Sequence, residues 1–472
     1  MLNNTTRRVV ILAIAAIAAV SAFADTRSEY LNHRIADAWS VDSAVPATTS
    51  SEATNIAWWK TFGDALLDSL MDLAEKGNYN VAMAARRIDI ARAQVKSARA
   101  AFFPQLDMNI GWTRERSSGR LDGAYGDAST LQYASGAVTM NWEIDVFGKI
   151  NAQVKKGKAQ VNVTRAEFGA VMVALQAEVA SNYLQLLVYR KQLEVARNHG
   201  ESQKQIVDMT ETRHKTGLAS KLDVEQANTL YYSTIAQIPL LEASIEASYN
   251  AIGVLLGLTR VELPQSLYQD RDLPGHYQLV AMGVPIDILR RRPDIIEAEK
   301  NIDVAAASLG IAKRDYLPSL SIAASVGTQA HRMGDLFTGP SFTYSVAPTL
   351  SWTIFDGLGR NAAMIEAREQ LQIQVENYNL TVLTAVEEVR NALCKYTATL
   401  KYIEAVKEVV RSSKESVNLS LSLYRQGLSN FTNVVDAQLN QLSYQNTLIS
   451  ARGDALMALV DLYKALGGGW YD

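Results

Sequence analysis

Between Arg360 and Gln426 apolar side chains return at every seventh position: Val375, Val382, Val389, Tyr396, Ile403, Val410, Val417 and Tyr424. Two helical turns bring a side chain back to nearly the same face, so this spacing predicts a long coiled-coil helix. The stretch holds no proline and no glycine. Its second seam row is mixed, with Tyr378, Val386, Leu393, Leu400 and Val406 apolar but Asn379, Ser413 and Lys414 polar. The seam is therefore narrow and the rest of the surface wet. At 1.5 Å per residue the helix is about 100 Å long, far beyond a bilayer core of about 30 Å.

Ahead of it the period switches between helical and two. Trp58-Trp59, Phe62, Leu66, Leu67, Leu70 and Met71 predict a short amphipathic helix ending near Gly77. An alanine-rich helix follows from about Asn80 to Phe102, closed by Pro104. Leu106, Met108, Ile110 and Trp112 then alternate with polar residues, and so do Ala134, Val138, Met140, Trp142 and Ile144. This predicts a β-hairpin over about 105–145 with one apolar and one polar face. Sevenfold spacing resumes in Val154, Val161, Phe168 and Leu175, up to the turn Lys215-Thr216-Gly217-Leu218. The return helix carries Val224, Tyr231, Ile238, Ile245 and Ile252, and Pro239 must kink or interrupt it.

The second half repeats the first. Arg291-Arg292-Pro293-Asp294 opens a helix that Pro318 closes, 214 residues after Pro104. A second hairpin over about 319–355 follows, with strands through Leu320–Val326 and Phe342–Ile354. Trp352 lies 210 residues after Trp142, and the turn Arg425-Gln426-Gly427-Leu428 lies 210 after Lys215-Thr216-Gly217-Leu218. The last helix places Leu428, Val435, Leu442, Ile449, Leu456 and Tyr463 at sevens, and Gly467-Gly468-Gly469 reads as an unpacked tail. The expected parts are a signal peptide (1–24), an extended arm (25–57), a first repeat (58–257), a connector (258–285), a second repeat (286–466) and a tail (467–472).

A two-stranded hairpin is not stable alone, and four strands per chain leave open edges that other chains must close. An apolar face with aromatic residues at Trp112, Trp142, Tyr344 and Trp352, backed by a polar face, suits a β-barrel in lipid. The alternative is a soluble two-layer sheet, which needs a helix layer over the hairpins.

The 472 residues carry a net charge of −3, with five His and one Cys. Nucleic-acid binding, a zinc site and a disulfide framework have no support in that composition. Arg7-Arg8, the apolar run Val9–Val20 and Ala22-Phe23-Ala24 form a secretory signal, so export with cleavage after Ala24 is expected. Cys394 is expected to be a buried small hydrophobe.

Several stretches together resemble the TolC-like outer-membrane efflux channel family. They are closest to the outer-membrane components of resistance-nodulation-division pumps. The resemblance rests on Trp58-Trp59 with Phe62 and Asp64, Phe103-Pro104-Gln105-Leu106, Trp142 to Gly148, Gly217-Leu218-Ala219-Ser220, Arg291 to Ile295, Ile354-Phe355-Asp356-Gly357, Val435-Asp436-Ala437-Gln438 and Ala465 to Trp470. It implies a mostly α protein with a membrane β-barrel. A homotrimer would form a 12-stranded barrel, four strands per chain, continued by a long antiparallel coiled-coil α-barrel in the periplasm. Implied partners are outer-membrane lipid, a periplasmic adaptor and an inner-membrane pump of a Gram-negative bacterium. Relatives often carry a lipid-modified cysteine after the signal; here none lies near Ala24, so no acyl group is expected.

The carboxylates scatter over helix faces, the His residues lack metal spacing, and Gly467–Gly469 lacks the Lys-Ser/Thr of a phosphate loop. No enzyme and no cofactor are expected. The resemblance instead places a constriction at Asp436, Asn433 and Thr432, where threefold symmetry would set three carboxylates in a ring that favours cations. A solvated surface Asp is the plain alternative. Tyr424, Asp223 and Arg452 resemble positions that link neighbouring coils in a closed state, although Tyr424 is also simply the last residue of the seam. The turn tips Gly217, Leu218, Gly427 and Leu428 are the expected adaptor contacts. The reading is an exit duct for drugs or other small molecules, with type I protein secretion or a pore-less periplasmic scaffold as alternatives.

Overall fold

The computed structural model describes residues 57–116, 118, 130–275 and 291–470. The expected leader, nearly all of the arm and the end of the connector lie outside these. The elements run α1 (Ala65–Gly77), α2 (Tyr79–Ala100), β1 (Gln105–Arg116), β2 (Thr130–Ile144), α3 (Lys149–Lys215), α4 (Lys221–Ile235) and α5 (Ile238–Leu256), then α6 (Pro293–Arg314), β3 (Ser319–Ala330), β4 (Phe342–Ser351), α7 (Gly359–Arg425) and α8 (Phe431–Ala465). The two long helices, α3 and α7, are each 67 residues. The described chain is mostly α-helical with one four-stranded antiparallel sheet, and its internal repeat is plain in the element order.

One compact unit comprises 85–165 and 297–379 and contains the sheet. Strand order is β1-β2-β3-β4, all antiparallel, so β2 and β3 join the two hairpins and β1 and β4 are edges. Opposed residues of an antiparallel pair share a face. The register aligns Leu106, Met140, Ala324 and Val346 in one rung and Met108, Val138, Val326 and Tyr344 in the next. The opposite face aligns Asp107, Thr139, Ser325 and Ser345. The apolar face is bare, with Ile110 at 78% exposure and Tyr344 at 77%.

The second hairpin is shorter than its alternation suggested, because β4 stops at Ser351 and Trp352 and Ile354 lie beyond it. The indole of Trp352 donates to Tyr316 O (3.0 Å), as Trp142, still paired within β2, donates to Phe102 O (2.9 Å) in the first repeat. Carboxylates then start both long helices: Asp145 accepts from the N–H groups of Ile150 and Asn151, and Asp356 from that of Arg360.

Among the described residues, the other unit comprises 57–84, 166–275, 291–296 and 380–470. Its core gathers Trp58, Leu67, Leu70 and Met71 with Tyr183, Leu184 and Leu187 of α3, Ile252 of α5, Val389 and Tyr396 of α7 and Leu456 to Leu462 of α8. The indole of Trp58 stacks on Tyr463 at 5.2 Å. An eighteen-residue window of α3 is apolar enough to cross a membrane by composition, but 61% of it is buried within the protein, as a core helix requires. The return helix of the first repeat is two helices, α4 and α5, because Pro239 in the first turn of α5 cannot donate back into α4. Its counterpart α8 has Ile449 at the matching place and runs unbroken for 35 residues.

Two expectations are corrected here. Cys394 is exposed rather than buried, because it falls beside the seam residues Leu393 and Tyr396 and not among them. The Gly467–Gly469 segment is packed, not loose. Gln176 donates to Gly469 O (2.6 Å), and Trp470 donates to Arg291 O (3.0 Å). A Cβ on Gly169 would lie 2.6 Å from the Trp470 ring. Glycines without side chains are what let this backbone lie against α3.

Candidate gate at the helix-turn end

Both long helices end in the same way. Gly217 and Gly427 take φ +76° and +75°, and Leu218 N–H and Leu428 N–H reach back to Arg213 O and Leu423 O. This is the Schellman closure, in which a left-handed residue satisfies the last carbonyls of the helix, and it explains glycine at both positions. Leu218 and Leu428 stand exposed at 67% and 71%.

Beneath the turns, Ile206 and Val207 of α3, Ala227 of α4, Tyr424 of α7 and Phe431 and Val434 of α8 form a small core. Tyr424 is 5% exposed, so it belongs to the seam, yet its phenol also donates to Asp223 Oδ2 at 3.0 Å. Asp223 sits in the first turn of α4, where Ser220 Oγ caps the helix and donates to Asp223 Oδ1 at 2.6 Å. Burial, then the hydrogen bond to the Asp223 carboxylate, pushes the Tyr424 phenol up to about 12.

Sequence reading missed Arg213. Its guanidinium lies 5.1 Å from the centre of the Tyr424 ring and donates to Arg425 O at 3.0 Å, fastening the end of α3 to the end of α7. A signal was present. At an offset of 210 the turns match, but Arg213 faces Leu423, His214 faces Tyr424, Asp223 faces Asn433 and Gln226 faces Asp436. The positions where the repeats part company are the ones this site uses.

Thr432, Asn433 and Asp436 are exposed on one side of α8, while Val434 and Gln438 turn inward. Asn433 Nδ2 donates to Ser429 Oγ (2.9 Å), and Gln226 Nε2 approaches Thr432 Oγ1 at 3.5 Å. Asp436 makes no hydrogen bond or ion pair among the described residues. Arg452 stands apart from this group. It lies 21 residues beyond the start of α8, about 30 Å along the helix, out of reach of Tyr424 and Asp223 within one chain.

The outer membrane efflux protein model matches residues 70–258 and 284–468, one block per repeat. The chain belongs to the outer membrane efflux protein family. It is 32% identical to the solvent efflux pump outer membrane protein SrpC of Pseudomonas putida, over 87% of this chain and 86% of that protein. With the outer membrane protein OprJ of Pseudomonas aeruginosa it shares 30% identity, over 92% of this chain and 90% of the other. The solved outer-membrane channel OprN superposes with a TM-score of 0.80 at 28% identity, covering 92% of this chain and 99% of that one. As a member of this family the chain is an outer-membrane efflux channel, and the family and its structural neighbours are transport components.

Proposed function

We propose that three copies of this chain close into one 12-stranded barrel, continued by an α-helical tunnel, and act as the passive, gated exit duct of a tripartite efflux system. The observation that carries this is the pair of open edges, β1 and β4, on a sheet whose apolar face is bare. Unpaired backbone groups at an edge are not tolerated in a bilayer, so the sheet must be closed by identical neighbours. The helix-turn tips, with Leu218 and Leu428 exposed, meet a periplasmic adaptor, which joins the duct to an inner-membrane resistance-nodulation-division pump. Relatives are named as toluene, antibiotic and solvent efflux pump components, which favours small, largely apolar cargo over secreted protein. Light scattering on the detergent-extracted protein is expected to give three chains, with single-channel conductance in planar bilayers. A monodisperse monomer that keeps its strand content would overturn the trimer, and trimers without conductance would favour a scaffold.

Within that reading, the Asp436 ring with Asn433 and Thr432 sets the constriction and its ion preference. The Tyr424–Asp223 link, with Arg213, holds the tips inward.

A further inference from the structure

The helices that flank the first hairpin carry a basic face that neither folding nor the gate uses. In α2 and α3, Ala91, Val95 and Ala98 pack against Val154 and Val161. Val95 meets α3 at Gly157, where a Cβ would come within 3.2 Å of Val95 Cγ2. The cations sit one residue beyond these seam positions: Arg92, Lys96 and Arg99 after Ala91, Val95 and Ala98, and Lys155 and Lys158 after Val154 and Gly157. One residue is about 100° of helix rotation. In an antiparallel pair, the same rotation from each helix's own N-terminus carries both stripes to the same side. Arg92, Lys96, Arg99, Lys155 and Lys158 are all exposed. Arg92 is occupied by Asp89 at 3.3 Å, whereas the other four have no ion-pair partner among the described residues.

The internal repeat supplies a control. The positions matching Lys96, Arg99, Lys155 and Lys158 are Gly310, Lys313, Ile365 and Arg368, with Glu366 and Glu369 alongside. The same helix–hairpin–helix forms there with two of the four cations and with two carboxylates beside them, so the full basic face of the first repeat is not a condition of the fold.

Its height is informative. Arg99 is one residue from the end of α2, and β1 begins at Gln105, next to the first apolar rung at Leu106. Lys96 lies about 4.5 Å further down the helix. The headgroup layer is about 5–8 Å thick beyond the hydrocarbon core, and long cationic side chains reach into it. We propose that Lys96, Arg99, Lys155 and Lys158 form a binding site for the headgroup of an anionic phospholipid in the periplasmic leaflet of the outer membrane. The inference rests on the sheet's apolar face lying against lipid. Charge complementarity and the stripe's level, next to the first apolar rung of the sheet, name the occupant.

The test is native mass spectrometry of the full-length protein in nanodiscs of phosphatidylethanolamine with phosphatidylglycerol or cardiolipin. Wild type is expected to retain the anionic lipid selectively, and K96Q/R99Q/K155Q/K158Q to retain about tenfold less or lower. K313Q/R368Q is expected to behave as wild type, and millimolar inorganic phosphate to leave retention unchanged. Equal retention by the quadruple variant overturns the proposal, and so does displacement by phosphate, which marks a site for free anions. Unchanged retention with altered ion selectivity also overturns it, because the face then lines the tunnel. Should the quadruple variant fail to assemble, wild type decides: selectivity that survives a rise to about 0.5 M salt sinks an electrostatic site. Failure of the protein to enter phosphatidylethanolamine nanodiscs at all would instead count against the membrane placement.

Discussion

Tyr424 and Asp223 lie 201 positions apart in the chain, and a 3.0 Å hydrogen bond joins them below the two return turns. The phenol comes from the final turn of α7 and the carboxylate from the first turn of α4. Tyr424→Phe keeps the ring in its small core and removes only that bond. If the bond holds the tips inward, the resting open fraction rises about tenfold, the equivalent of about 1.4 kcal/mol for a hydrogen bond to a charged group. Tyr424→Phe with Asp223→Asn should be strongly non-additive, and Tyr424→Phe with Arg452→Ser additive, since distant residues do not couple. Bilayer recordings of the three single variants and the two double variants check both.

The same pair sets a pH window. The folded pKa of Tyr424 is raised to about 12 from the usual phenol value of about 10. A raised pKa means that the neutral phenol is the stabilised form, so its contribution is complete below about pH 10 and is lost as pH climbs through about 12. Wild type should hold a constant resting conductance from neutral pH to about 9 and open above about 10. Tyr424→Phe should abolish that alkaline step, which recordings across the range would show.

Asp436 offers a separate readout. Its carboxylate is exposed on α8 and unpaired among the described residues. Asp436→Ala is expected to lower the cation-to-anion permeability ratio several-fold with little change in thermal stability. Reversal potentials in a salt gradient measure it, and an unchanged ratio places the selective ring elsewhere.

Arg292 should behave as a structural hub. It is 6% exposed and donates to Asp294, to Glu388 Oε2 at 2.6 Å and to Ala465 O at 2.7 Å. Arg292→Ala leaves that carbonyl without its partner and frees the end of α8. The cost is about 2–3 kcal/mol, read as a lower melting temperature of the extracted protein with ion selectivity unchanged.

Gly469 is expected to tolerate no side chain. Its φ is +105°, and a Cβ there would meet Gln176 Oε1 at 1.7 Å. Gly469→Ala should release the tail, lower the melting temperature and expose residues beyond Ala465 to carboxypeptidase, which intact mass would reveal.

What the sequence disclosed follows from which interactions are periodic. Sevenfold spacing gave the seam, and Val382, Val389, Tyr396, Ile403, Val417 and Tyr424 are indeed buried. Gly217 and Gly427 marked the turns because a left-handed residue is a local requirement. Alternation gave the strands but not the end of β4, whose last residue Ser351 pairs with Ser319, the first residue of its neighbour β3. Arg213 was marked only by a break in the repeat, and its role was missed because its partner ring is over two hundred residues away in the chain. The tail was misread because glycine has no pattern to show, although its backbone is gripped by Gln176.

The equal lengths of α3 and α7 constrain how such a gene can change. Adding one residue to either helix turns everything beyond it by about 100° and carries the seam off its partners. Adding seven nearly restores the face while lengthening the rod by about 10 Å. A longer reach therefore requires heptad-sized insertions in α3, α7 and both return helices together. Lone insertions and deletions should survive only in the loops, and related chains should differ in helix length by matched multiples of seven.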